Sequence, residues 1–192
     1  MRANHWILAC LLATAGAAHA DVTLAGVKYE EASEIRGAKL QLNGAGIRYK
    51  GPFKVYAAGL YVSKKSATPE EIFATPGVKR VSVTMLRDID ASELGKLFVR
   101  GVEDNMDKAS VSKLIPGLMR MSQIFSDHKN LKTGDVFSID WVPGVGTVVN
   151  VRGIPQGEPF KEPEFFNALL RIWLGPVPAD WKLKDALLGK PS

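Results

Sequence analysis

The run Phe53-Lys54-Val55-Tyr56-Ala57-Ala58-Gly59-Leu60-Tyr61-Val62 is apolar on both of the faces that alternate along a β-strand. Such a strand belongs inside a layered structure, covered on both sides, and only Lys54 near its start interrupts it. Just upstream, Gly44-Ala45-Gly46-Ile47-Arg48 sets one cation beside this run. An unpaired guanidinium held there would be strongly unfavourable, so Arg48 requires an anion. The sequence leaves two sources open: an internal carboxylate such as Glu30, Glu31 or Glu103, or the carboxylate of a ligand.

A chain of 192 residues with 46% hydrophobic content forms one domain with one substantial core. Residues 1–20 combine a basic start at Arg2, an apolar run from Trp6 to Ala17 and the small-residue exit Ala18-His19-Ala20, the pattern of a secretory signal peptide. Cleavage is expected before Asp21, leaving 21–192 as the mature domain, with the periplasm as its compartment. The apolar run before Cys10 is too short for a lipoprotein export segment. No later stretch has the length of apolar sequence needed to span a bilayer, so no integral membrane segment is expected in the mature chain.

Removing the leader takes away the one cysteine, Cys10, and two of the three histidines, leaving His128. The net charge falls from +5 to +4 as Arg2 is lost. The basic residues lie in scattered pairs such as Lys64-Lys65 and Lys79-Arg80, without the interleaved aromatics of a nucleic-acid interface. A thiol nucleophile and a disulfide are excluded from the mature chain by residue count, and one histidine without cysteine argues against a structural zinc site. Glu103, Asp104 and Asp107 read as a solvated acidic face, and no Gly-x-Ser-x-Gly elbow accompanies His128. Neither Gly44-Ala45-Gly46 nor Gly144-Val145-Gly146 leads into a helix, so neither offers a phosphate cradle. Trp141, Trp173 and Trp181 read as packing residues, and no cofactor is expected.

Strands are expected over Val27–Ala32 and Lys39–Leu42, with Asn43-Gly44 as a turn, then from Ile47 to Lys50 and, after Gly51-Pro52, from Phe53 to Val62. Thr68-Pro69-Glu70-Glu71 caps a short helix reaching about Thr75, and Val81–Met85 returns as a strand. Asp90-Ala91-Ser92-Glu93 opens a helix reaching about Ala109, with Leu94, Phe98, Val102 and Asn105 on one face. A second helix is expected over Leu114–His128, with Pro116 and Gly117 in its opening turn. A hairpin about Pro143-Gly144-Val145-Gly146, a helix over Phe165–Leu174 and a last helix between Asp180 and Gly189 follow. Strand runs segregated from helix runs define an α+β class, an antiparallel sheet covered on one face by a layer of helices.

The Gly-x-Gly-x-Arg segment, the following Phe-x-x-Tyr-x-x-Gly-x-Tyr strand, Trp173-Leu174-Gly175, the Pro-Ala-Asp180-Trp181 turn and Leu187-Leu188-Gly189 together resemble the chalcone isomerase superfamily. The likeness runs from about Val22 to Gly189 and is greatest with its exported bacterial branch. It implies an open-faced β-sandwich of chalcone isomerase type with a ligand cleft between sheet and helices. It also implies two functions built on Arg48.

In the plant isomerases an arginine at this position binds the phenolate and stabilises the charge that develops during an intramolecular Michael-type ring closure. On that reading Arg48 and Asn105 are the catalytic candidates. The isomerase's helix tyrosine falls on Phe98, its later-helix threonine on Ile172 and its strand threonine on about Tyr56. In the superfamily's fatty-acid-binding members an arginine and a tyrosine hold a carboxylate. On that reading Arg48 with Tyr56 or Tyr61 grips the head group of a small hydrophobic acid, while Phe98, Asn105 and Ile172 line the cleft. Apolar side chains at 98 and 172, where the enzymes carry hydroxyls, favour binding over catalysis. The structural alternatives are that Asn105 bonds backbone and that the tyrosines are core aromatics.

Overall fold

The computed structural model describes residues 21–190, so the expected leader lies outside the described residues. Its centre is a seven-stranded antiparallel sheet. β3 (Ala32–Ile35), β4 (Ala38–Lys50), β5 (Phe53–Val62) and β6 (Lys79–Met85) lie side by side, followed by β9 (Val136–Val142), β10 (Gly146–Val151) and β11 (Ile154–Pro155). Two short ribbons accompany it, β1 (Val22–Leu24) with β2 (Val27–Tyr29), and β7 (Ile89–Asp90) with β8 (Asn130–Leu131).

Three tight turns shape the sheet's margins and the β1–β2 ribbon. Ala25-Gly26, Arg36-Gly37 and Arg152-Gly153 each place two successive residues at positive φ, as two-residue hairpin turns matched to strand twist require. Their first residues are not asparagine or aspartate, which is why the β1–β2 and β3–β4 hairpins gave no turn signal.

The helices lie on one face. α1 (Pro69–Ala74) has Thr68 as its cap, whose hydroxyl accepts the Glu71 amide. α2 (Ala91–Glu103), α3 (Lys108–Ser126) and α4 (Pro163–Leu174) bury Leu94, Phe98, Met121, Phe125, Phe165 and Leu169 against Val81, Val83, Phe137 and Val149. α5 (Trp181–Leu187) lies on β4. On the opposite face Tyr29 from the β1–β2 ribbon packs with Leu40, Leu42, Ala57 and Tyr61, covering β4 and β5. Beyond it Arg80 forms a two-point ion pair with Asp140 at 2.6–2.7 Å, supported by Asn150. The sandwich is therefore open-faced.

Three expectations are corrected. Asn43-Gly44 is not a turn: β4 runs through it with a register shift against β5. The buried Asn43 amide donates to the carbonyls of Leu187 and Ser66 and accepts the Ser66 amide, so contacts remote in sequence hold Asn43 within the strand as a bulge. The helix expected to reach Ala109 ends at Glu103, and Asp107 caps a new one by accepting the Ser110 amide. Pro116 lies within α3 rather than in its opening turn. It is exposed, as is Ser112, whose freed carbonyl water can satisfy.

The Gly44-Ala45-Gly46 segment has a steric explanation. A Cβ at Gly44 would stand 2.0 Å from the Ala186 carbonyl oxygen, and one at Gly46 would stand 2.7 Å from Ala186 Cβ. Both glycines let α5 rest on β4, the strand that carries Arg48.

Candidate functional site

A cavity of about 420 Å³ opens between the sheet and the helices. β4 contributes Arg48, Tyr49 and Lys50, β5 Tyr56 and β9 Phe137; Leu94, Leu97 and Phe98 come from α2, and Ile172 and Trp173 from α4. The turn Val177-Pro178-Ala179 completes the rim. The volume falls within the roughly 300–1,000 Å³ of small-molecule sites, and the lining combines aromatic and aliphatic groups with the charged Arg48, Lys50, Arg100 and Asp104.

Arg48 and Tyr56 are partners in the β4–β5 register, so both side chains stand on the helix-covered side of the sheet. The guanidinium carbon lies 5.5 Å from the Tyr56 ring centre. The Arg48 Nε is buried and has no hydrogen-bond partner among the described residues. Nor does Arg48 form an ion pair with any described carboxylate: Glu30 stands beside Lys28 and Glu31 beside Lys65. The internal-acid alternative for Arg48 is absent among the described residues.

Tyr56 is buried, and its hydroxyl oxygen accepts a hydrogen bond of 2.9 Å from Trp173 Nε1. Burial pushes this phenol above its ordinary pKa, opposed by the Arg48 charge and the Trp173 bond. The phenol stays protonated at neutral pH. Trp173, read from sequence as packing alone, also fixes the tyrosine oxygen, a role with no signal in local sequence.

Phe98 and Ile172 line this cavity. Phe98 stacks on Phe125 with ring centres 5.0 Å apart and meets Trp173 edge-on at 6.1 Å. Neither offers a hydrogen bond.

Two candidates lie elsewhere. Tyr61 is on the opposite face of β5, packed with Tyr29, Leu40 and Leu42 and pushed by burial to about 12. Side chains at 56 and 61 must oppose each other in an extended strand, so Tyr56 alone reaches Arg48. Asn105 does not line the cavity either. Its amide nitrogen donates to the carbonyls of Gly101 and Val177, both at 2.8 Å, and its oxygen accepts the Val177 amide at 2.8 Å. With these contacts it ties the end of α2 to the rim turn, a role in backbone rather than ligand recognition. Gly175 makes room for it, since a Cβ there would stand 2.1 Å from the Asn105 oxygen.

Among the described residues no three His, Cys, Asp or Glu side chains converge, and no helix is long and apolar enough to cross a membrane.

The sequence profile described as chalcone isomerase-like matches residues 21–189. Among solved structures, the chain is similar to a fatty-acid-binding protein of Arabidopsis thaliana, with a TM-score of 0.70 and 16% sequence identity over 88% of this chain and 96% of that one. At that identity the likeness describes the fold. No curated protein sequence matches the chain significantly.

Proposed function

The chain belongs to the chalcone isomerase-like family, and from that premise we propose that it binds a small hydrophobic acid without transforming it, as an exported protein of the periplasm. The observation that carries this reading is the buried, unpartnered Nε of Arg48 on the wall of a cavity that Phe98, Phe137 and Ile172 also line. A guanidinium in that position is completed by a carboxylate, to which it presents a planar fork of N–H donors. The Tyr56 hydroxyl, whose oxygen is engaged by Trp173, keeps its proton to donate to the same carboxylate. Phe98, Ile172 and Phe137 offer surface for the hydrocarbon part. The related fold of a plant fatty-acid-binding protein supports the same ligand class.

Ring-closing catalysis would need donors placed around a developing oxyanion. Phe98 and Ile172 supply none, so binding is the better account of this lining. Native mass spectrometry of protein purified from the periplasm tests it: a bound acid is expected, lost in Arg48→Ala. An empty cavity that also ignores added fatty acids would overturn it.

A further inference from the structure

We propose that the rim of this cavity is a membrane-docking surface, fitted to a bilayer carrying anionic headgroups. Around the mouth the chain leaves large apolar side chains in water: Phe53 is 59% exposed, Trp181 60% and Val177 54%. Isolated exposed apolar residues are ordinary, but these lie on the β4–β5 hairpin tip and on the chain from Val177 to Trp181 that the hairpin holds. Phe53 pairs with Lys50 at the tip of the β4–β5 hairpin, and Tyr49 with Lys54. The Tyr49 amide donates to Asp180 at 2.9 Å, which brings Trp181 beside the hairpin. Tyr49 lines both the main cavity and a neighbouring surface groove of about 820 Å³ that includes Trp181 and Lys182.

Charge complementarity selects the partner. Lys50, Lys54 and Lys182 are exposed among these apolar groups, and the Arg87 guanidinium lies 5.4 Å from the Phe53 ring centre. Of the acids at the rim, Asp104 stands beside Arg100, and Asp180 caps α5 through the Lys182 and Leu183 amides. Aromatic side chains at headgroup depth, flanked by lysine and arginine, are the composition of an interfacial anchor. A protein partner would more often meet an apolar centre with a mixed-charge rim. The surface adjoins the cavity mouth along Tyr49, Lys50 and Val177, so docking would let an amphipathic acid pass between bilayer and cavity with little exposure to water. That consequence rests on the acid-binding reading; the docking itself does not.

The test is co-sedimentation of the protein with phosphatidylglycerol-containing vesicles and with pure phosphatidylcholine vesicles, in the absence of added acid. Binding is expected to the anionic vesicles, weakened by about 0.5 M salt, with a blue shift of Trp181 fluorescence. Phe53→Ser with Trp181→Ser is expected to lower vesicle affinity by about tenfold or more, and Lys54→Glu to lower it further. None of these residues lines the main cavity, so acid binding measured separately should persist, and its absence from the unaltered protein would count against the binding reading alone. Failure to sediment with anionic vesicles, or sedimentation unaffected by the double variant, would overturn the docking proposal. So would a lipid-free dimer, seen by analytical ultracentrifugation, that the double variant dissociates.

Discussion

Arg48 and Tyr56 stand opposite each other across β4 and β5, with the guanidinium carbon 5.5 Å from the centre of the phenol ring. Register produces this relationship, and two irregularities in β4 set the register. One lies between Leu42 and Gly44, and the other immediately follows Arg48. A slip of one residue would turn Arg48 to the other face of the sheet, away from α2 and α4. The bulge at Asn43 keeps Leu40, Leu42, Ala45 and Ile47 on the face covered by the β1–β2 ribbon, and Gly44, Gly46 and Arg48 on the helical face.

Gly44→Ala should expose this dependence. The added methyl would stand 2.0 Å from the Ala186 carbonyl oxygen, so α5 must lift from β4. A loss of about 3 kcal/mol or more is expected in chemical denaturation, together with faster proteolysis within α5.

Asn105→Ala is expected to act on stability rather than on ligand affinity. Its three hydrogen bonds all go to backbone, and removing them should lower stability by about 1–3 kcal/mol. Calorimetry of acid binding should show a change of less than about threefold, since no charged contact to the carboxylate is lost. An effect as large as that of Arg48→Ala would place Asn105 in the site after all.

Restoring the isomerase hydroxyls with Phe98→Tyr and Ile172→Thr is expected to leave chalcone cyclisation at its rate in buffer. Phe98 packs among Phe125, Phe137 and Trp173, so a hydroxyl there enters an aromatic cluster. Each buried, unpaired hydroxyl should lower stability by about 1–3 kcal/mol. A rate clearly above buffer would revive the catalytic reading.

Alkaline pH should destabilise the protein through its buried tyrosines. Tyr29, Tyr56 and Tyr61 all lie above the ordinary value of 10.0 because burial disfavours the phenolate. The folded state therefore keeps protons that the unfolded chain releases. This stabilisation is complete below pH 10 and is lost as pH rises through the folded values, about 12 for Tyr61. The denaturation midpoint should fall between pH 10 and 12, and tyrosinate absorbance should rise in step with unfolding.

Much of the fold is legible where local chemistry decides it. Thr68 before Pro69, Asp90 before Ala91 and Asp180 before Trp181 are caps that the sequence announces and the structure uses. The doubly apolar strand from Phe53 to Val62 lies inside the sheet, with helices on one side and the ribbon on the other. Asn43 misleads because its partners include Leu187, which is remote in sequence, and a turn motif is overridden by that tertiary contact. The apolar face running from Leu94 toward Asn105 hides the Asp107 cap that starts a new helix. At the site, Arg48, Phe98 and Ile172 follow from pattern and resemblance together. The choice between Tyr56 and Tyr61 does not, because a strand apolar on both faces carries no record of which side meets the helices.

The central claim is that Arg48 is present to receive a carboxylate. Calorimetric titration with a long-chain fatty acid and with its methyl ester, on the protein and on Arg48→Gln, tests it most directly. The account predicts that the protein binds the acid at least about tenfold more tightly than the ester, and that Arg48→Gln removes this preference while the ester binds as before. Equal affinity for acid and ester in the unaltered protein, or a preference that survives in Arg48→Gln, would contradict it.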